Sequence, residues 1–474
     1  MPDETEPDAA VVARDAAAAV DRASPPRDAL ASSPDTTAGG PEDGPAPDLA
    51  PNTSADGPAP AADGPPASGG SYLVEGLSGD VTARELDAFI AATAAASIPV
   101  AMWQEGNVGS HNTLSTFGRG GYTLESLNLL YEVARDAGMT SQQRRLLDLA
   151  IKWNDAWLVH RNDMPMGEKR VMWTGKVEPI WPPNHPADPE AAYAGSETAD
   201  AVGTLAHTTL NILRTPEIGA MTVPDGDPNR FGATYQARAK TYLAMLEVSM
   251  DQFFVPRFID LQTLTIRHPS EPAYDVPVKQ NVNAWNRMML FGNAFQMLGQ
   301  IHALLGDDAT KEARYRKVVE NIVDPFVKAS VPHPAADGTQ VFDWGYGNFG
   351  DIKNNLSNED LGHGVIDMLG LTRASRAGYG HATAAQLKTY ADTVMHEIRI
   401  GPGNYAGSVN RAKAKEMATW LNGGWLTLSP YLPGLLQAIA TDQIAAGQAS
   451  RSASVAGYIL WAKHWAAKGR LPPP

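Results

Sequence analysis

NAWNRMMLFGNAFQMLGQIHALLGDD, residues 283–308, places apolar side chains at three- and four-residue intervals until Gly306 and two aspartates end the pattern. That spacing puts them on one side of a 3.6-residue period, so the stretch predicts a helix with a glycine stop. The same signature recurs on both sides. Upstream it is carried by TARELDAFIAATAAA (82–96), YTLESLNLLYEVARDAG (122–138), SQQRRLLDLAIKWNDAWLVHR (141–161), ETADAVGTLAHTTLNILR (197–214) and YQARAKTYLAMLEVSMDQFF (235–254). Downstream come KEARYRKVVENIVDPFV (311–327), EDLGHGVIDMLGLTRAS (359–375), TAAQLKTYADTVMHEI (383–398), YLPGLLQAIATDQIA (431–445) and SASVAGYILWAKHWAA (452–467). About eleven to thirteen helices follow, with hardly a convincing strand between them.

Paired helices over roughly 400 residues make either a solenoid or a closed ring of hairpins. A solenoid needs a fixed repeat, and no period recurs here. Unequal loops suit a ring, where the long ones gather at one rim. The expectation is an all-α fold, an (α/α)6 or (α/α)7 toroid, as one domain over residues 71–474.

Residues 1–70 are of another kind, with runs such as PAPDLAPNTSADGPAPAADGPPASGG. Ala, Pro, Asp and Gly in that proportion cannot bury enough apolar surface to offset ordering entropy, so the segment reads as a disordered tether. It holds 13 acids against 3 arginines, hence −10 of the chain's net −15, and the folded part is left at −5. No basic field is available to attract nucleic acid. No apolar run reaches the roughly 20 residues that span a bilayer. A tether ahead of a folded domain is expected after a removed export signal, so the expected location is secreted or tethered to the cell surface. With 0 cysteines the fold relies on its core, and any metal would need His and carboxylate ligands.

Polar chemistry gathers in the loops and at helix starts. The loop of residues 160–197 carries Trp173, Lys176, Trp181 and Tyr193 among prolines. Its aromatics suit stacking on sugar faces and Lys176 could pair with a carboxylate; a packed lid is the plainer alternative. In WQEGNVGSHNTLSTFGRGGY (103–122), His111 and Asn112 could donate to an oxyanion or simply bond the loop together. VKQNVNAWNRMML (278–290) offers Asn281, Asn283 and Asn286 as donors or caps, and Arg287 as a carboxylate fork. Glu197, Asp200, Thr204, His207 and Asn211 recur on one helical face, either solvated or turned toward a site.

The richest stretch is VFDWGYGNFGDIKNNLSNEDLGHGVIDMLGL, residues 341–371. Asp360, His363 and Asp367 fall on one helical face, and Glu359 is placed to set the His363 tautomer. Those acids could cap the helix, ligate calcium or zinc, or form a substrate site with Trp344 and Tyr346 from the preceding loop.

Taken together, VMWTGKVEPIWPPN (171–184), the 283–308 helix, and the Trp-x-Tyr loop followed by NEDLGHGVIDMLGL (358–371) resemble the helical-toroid polysaccharide lyases. The closest likeness is to the alginate and glucuronan lyases of polysaccharide lyase family 38. The resemblance covers about a quarter of the chain. It implies β-elimination on an anionic polysaccharide (alginate, polymannuronate or glucuronan), without a cofactor. Tyr346 would be the acid/base, and His363, Asn281 and Arg287 would neutralise the carboxylate. His111, Asn112, Trp173, Lys176, Trp181, Glu197, Trp344, Glu359 and Asp360 would bind substrate, with Tyr193, Tyr122 and Tyr405 as alternative proton carriers. The rivals are a toroid glycoside hydrolase using Asp360 with Glu197 or Asp200, and a carbohydrate-binding surface protein without catalysis.

Overall fold

Threonine, serine and aspartate start several of the helices. Thr82 caps α1 (Ala83–Ala94) in a capping box with Glu85, and Thr234 caps α5 (Tyr235–Ser249). Asp308 caps α8 (Ala309–Ala329), and Ser452 caps the last helix. At the other end, Gly306 closes α7 (Trp285–Leu305) with φ +62°. Side chains there would strain the left-handed turn that glycine accepts.

This is a computed structural model, and it describes residues 71–102, 114–115, 118–187, 193–274, 284–347, 359–409 and 418–472. The proposed tether, residues 1–70, lies outside the described residues. Among those described, the chain is mostly helical, with twelve α-helices. The remaining helices are α2 (Arg119–Asp136), α3 (Thr140–Val159), α4 (Ser196–Leu213), α6 (Val255–Phe258), α9 (Leu361–Arg376), α10 (Ala384–Thr393), α11 (Leu435–Ala445) and α12 (Ala453–Lys468).

Strands are few and short. β1 (Ile259–Asp260) pairs with β2 (Thr265–Ile266), β3 (Val331–Pro334) with β4 (Gln340–Asp343), and β5 (Arg399–Gly401) with β6 (Asn404–Tyr405), all antiparallel. These hairpins escaped the sequence reading because two to four residues give alternation no room to show. So did the 3₁₀ segment Gly423–Tyr431, whose Gly-Gly start and internal Pro430 read as a loop. No helix among the described residues is long and apolar enough to cross a membrane.

Burial sorts the helices into two sets. α2, α4, α7 and α12 are buried on nearly every side, whereas α3, α5 and α8 each bury one face. Contacts run from α12 to α2, α2 to α4, α4 to α7, α7 to α9, α9 to the 3₁₀ segment, and from there back to α12. α3, α5 and α8 pack on α2, α4 and α7 respectively.

Two of the close approaches need glycine. A Cβ on Gly203 in α4 would sit 2.6 Å from Asn293 Cγ in α7, and one on Gly457 in α12 would sit 2.5 Å from Ser126 in α2. Gly292, also in α7, has room: its Cβ would meet only Ile322 Cδ1, at 3.6 Å. Gly203→Ala is therefore expected to destabilise by about 1–3 kcal/mol despite better helix propensity. Gly292→Ala, by contrast, should stabilise by up to about 1 kcal/mol. Thermal melts that moved both variants in the same direction would contradict this packing.

Candidate functional site

Asp360 is the residue that organises the start of α9. Its extended backbone (φ −85°, ψ 168°) ends the incoming loop, and its Oδ1 accepts from the backbone N–H of Gly362 at 2.7 Å and of His363 at 3.0 Å. The other oxygen, Oδ2, lies 2.5 Å from His363 Nδ1. Burial works to raise the Asp360 pKa, but His363 and the two backbone donors outweigh it and hold the carboxyl below its usual range. An ionised Asp360 holds a proton on Nδ1 of His363. The capping and site readings of this stretch are thus one arrangement. Glu359 is fully buried, its carbonyl accepting from Val409 N–H at 3.1 Å. The carboxylate expected to set the His363 tautomer was Glu359; the one that meets Nδ1 is Asp360.

Tyr346 packs against the same imidazole edge-on, with ring centroids 5.3 Å apart at 85°. Its backbone is stitched to the start of α7: Trp285 N–H donates to the Tyr346 carbonyl at 3.0 Å, and Ala284 bridges Gly347. Two residues before it, Trp344 is 1% exposed and donates its indole N–H to Asp367 Oδ2 at 3.0 Å. Trp344 is thus the anchor of the Tyr346 loop, not an exposed platform for sugar.

One turn into α7, Arg287 Nη1 lies 3.7 Å from Glu197 Oε1 in the first turn of α4. That is a loose pair, and Glu197 Oε2 also accepts from Ser196 Oγ at 3.0 Å. The N-terminal ends of α4, α7 and α9 and the Tyr346 loop are therefore linked through named contacts. Along α4, Glu197, Asp200, Thr204, His207 and Asn211 are all buried, so this face is not solvated. Asp200 Oδ1 accepts from Asn293 Nδ2 at 2.7 Å.

The 160–197 loop behaves differently from a sugar-stacking loop. Trp181 is 2% exposed and donates to the Trp157 carbonyl at 2.8 Å. Trp173 is buried in an aromatic cluster with Tyr274 at 5.0 Å, Phe253 at 5.2 Å and Tyr193 at 6.0 Å. Both are core residues under the loop, so the expected stacking role for them is replaced by packing. Lys176 is exposed beside a turn with Gly175 at φ +73°. His111, Asn112 and Asn281 lie outside the described residues. Among the described residues no group of three His, Asp or Glu side chains is arranged to hold a metal ion.

Asp367 is fully buried behind this site. Burial pushes its carboxyl well above the usual range, the Trp344 hydrogen bond opposes that, and the Asp360 charge adds to it. A pKa raised on folding contributes stability that is complete below the unfolded carboxyl value and lost as pH rises through the folded one. Asp367→Asn keeps an acceptor for Trp344 and has no charge to bury. The variant should therefore melt progressively higher than the parent as pH rises above the unfolded carboxyl value. A gap that closed or reversed with rising pH would mean that Asp367 is charged in the folded protein.

Comparison with family models, with curated proteins and with solved structures finds no match to this chain. The residues themselves carry the functional reading. What the sequence reading overlooked is a set of paired ions, with Glu125, Glu132 and Arg373 buried and Arg376 half-buried. Its signal was present as acids seven residues apart in the helical YTLESLNLLYEVA, and arginines three apart near the end of α9.

Proposed function

We propose that the chain is a polysaccharide lyase that cleaves an anionic uronic-acid polymer by β-elimination, on an (α/α) toroid. The circuit of contacts through α12, α2, α4, α7, α9 and the 3₁₀ segment favours six hairpins over seven. The observation that carries the chemistry is the Tyr346 ring set against an imidazole whose Nδ1 is held by Asp360.

The proton on C5 of a uronate is acidic because it lies α to the carboxylate. In the proposed step the Tyr346 phenolate takes that proton, the C5–H electron pair forms the C4=C5 double bond, and the C4–O4 bond breaks. The departing O4 receives the proton from the same tyrosine. Charge that builds on the substrate carboxylate is met by Arg287, which exchanges its loose contact with Glu197 for a bidentate one, and by His363 in its imidazolium form, donating through Nε2–H while Nδ1–H stays on Asp360. Glu197 also keeps Arg287 in place while the site is empty of substrate.

The hydrolase alternative has weaker support. It needs two carboxylates flanking the scissile bond, one of them free to protonate or attack. Asp360 has both oxygens committed, Asp367 is buried, and Asp200 is buried against Asn293. An exported location belongs to the same proposal, since polymeric uronates are met outside the cell.

The test is to incubate the protein with alginate, polymannuronate and glucuronan and follow ultraviolet absorbance beside reducing ends. Elimination raises both, because it creates a conjugated double bond at each new non-reducing end. Reducing ends without absorbance would make the protein a hydrolase, and binding without either would make it a carbohydrate-binding protein.

A further inference from the structure

The helices that present Glu197 and His363 carry a second polar assembly farther along. His207 is ten residues beyond Glu197 on α4, and Arg373 ten beyond His363 on α9. At about 1.5 Å per residue, each is about 15 Å from the site just described. His207 meets a carboxylate at each ring nitrogen: Nδ1 is 3.2 Å from Glu125 Oε2 and Nε2 is 3.1 Å from Glu132 Oε1. Acceptors at both nitrogens hold the ring as imidazolium. Burial opposes that charge, but Glu125 and Glu132 together raise the His207 pKa.

The same carboxylates bind arginines on α9. Arg373 Nη2 donates to Glu125 Oε1 at 2.8 Å, and Arg376 Nη2 to Glu132 Oε2 at 3.1 Å. From the end of α4, Arg214 Nη2 donates to Gln300 Oε1 on α7 at 2.9 Å. All of these side chains line one cavity whose empty space is about 280 Å³, counted to its open side.

The charges in that lining do not balance. Three guanidiniums and one imidazolium stand against two carboxylates, an excess of two positive charges among the described residues. Outside the lining, Arg135 acts on Arg214 and Asp200 on Arg373, one charge of each sign. Arg373 and His207 are buried and Arg214 and Arg376 half-buried, and unbalanced charge even partly withdrawn from water is costly unless a counter-ion completes it. The burden falls on Arg214: burial disfavours its charge and Arg135 and Arg376 repel it, against attraction from Glu132.

We propose that this cavity is a binding site for a small monovalent inorganic anion of chloride size, held between Arg214 and Arg376 and capped by the Gln300 amide. The clear space within the cavity is of water size, too small for a sugar acid. A larger or multiply charged anion would be driven against Glu125 and Glu132. Bound there, the ion ties α4, α7 and α9 together away from the substrate end. It stabilises the folded chain in proportion to the logarithm of its occupancy ratio.

The test uses the full chain in thermal melts at constant ionic strength, exchanging sodium gluconate for sodium chloride. Gluconate is too bulky for the cavity. The expected result is a saturable rise in Tm of roughly 2 °C or more with chloride, lost in Arg214→Gln. Equal melting in the two salts, or a chloride increment that survives Arg214→Gln, would overturn the site. Should Arg214→Gln not fold, crystals of the parent soaked in bromide decide the matter. An anomalous peak between Arg214 and Arg376 supports the site, and water alone there removes it.

Discussion

Tyr346→Phe lowers turnover on a uronate polymer by about 10²- to 10⁴-fold, the range for losing a general acid/base, with little change in melting temperature. The ring stays: its packing against His363 and the bond from Trp285 N–H to the Tyr346 carbonyl need no hydroxyl. Because the loss is of a group that acts in the transition state, kcat should fall far more than KM rises. Asp360→Asn gives the companion measurement. It leaves an acceptor for the α9 cap but removes the charge that fixes the proton on Nδ1, so its defect should be smaller and should vary with pH. Near-normal turnover in folded Tyr346→Phe would take Tyr346 out of the mechanism. The search would then turn to Tyr193 or Tyr122 before Tyr405, whose hydroxyl is buried against Asp442 at 2.5 Å.

The helices were legible because burial imposes a period, and a period survives in one sequence. α7 was read almost residue by residue from its apolar spacing and Gly306. Side-chain direction was not legible in the same way. Trp173 and Trp181 looked like sugar platforms because a proline-rich loop suggests exposure, yet both are buried, Trp173 against Phe253 and Trp181 bonded to the Trp157 carbonyl. Asp360 and His363 were legible as a pair, since three residues on a helix start place them side by side; which carboxylate meets Nδ1 depended on a capping rotamer that spacing does not encode. The ions at Glu125 and Arg373 were the hardest to see. Their contact joins positions 248 residues apart, and charges on an amphipathic helix ordinarily face water.

That distant pair also sets the largest stability effect expected here. Glu125 and Arg373 are 2% and 6% exposed, and Arg373 donates through both Nε and Nη2 to one Glu125 oxygen, at 3.2 and 2.8 Å. Arg373→Met keeps most of the stem volume but leaves the Glu125 charge buried against His207 alone of the two cations that now face it. Removing one member of such a pair costs about 3–5 kcal/mol, whereas replacing both with neutral groups is often nearly neutral. Glu125→Gln combined with Arg373→Met should therefore regain more than half of what Arg373→Met alone loses, in urea unfolding at one fixed chloride concentration. Acid exposes the same logic. Burial would raise the Glu132 pKa, but Arg376 and His207 hold it down to about 2 from 4.5. A depressed folded pKa gives stability that is present above the unfolded value and fades as pH falls through the folded one, so Glu132's share disappears between about pH 4.5 and about pH 2. If the double variant instead lost the sum of its two single losses, the carboxylate and guanidinium would not be acting on each other. The network would then be a set of separately solvated charges, and the case for an anion completing it would fall with it.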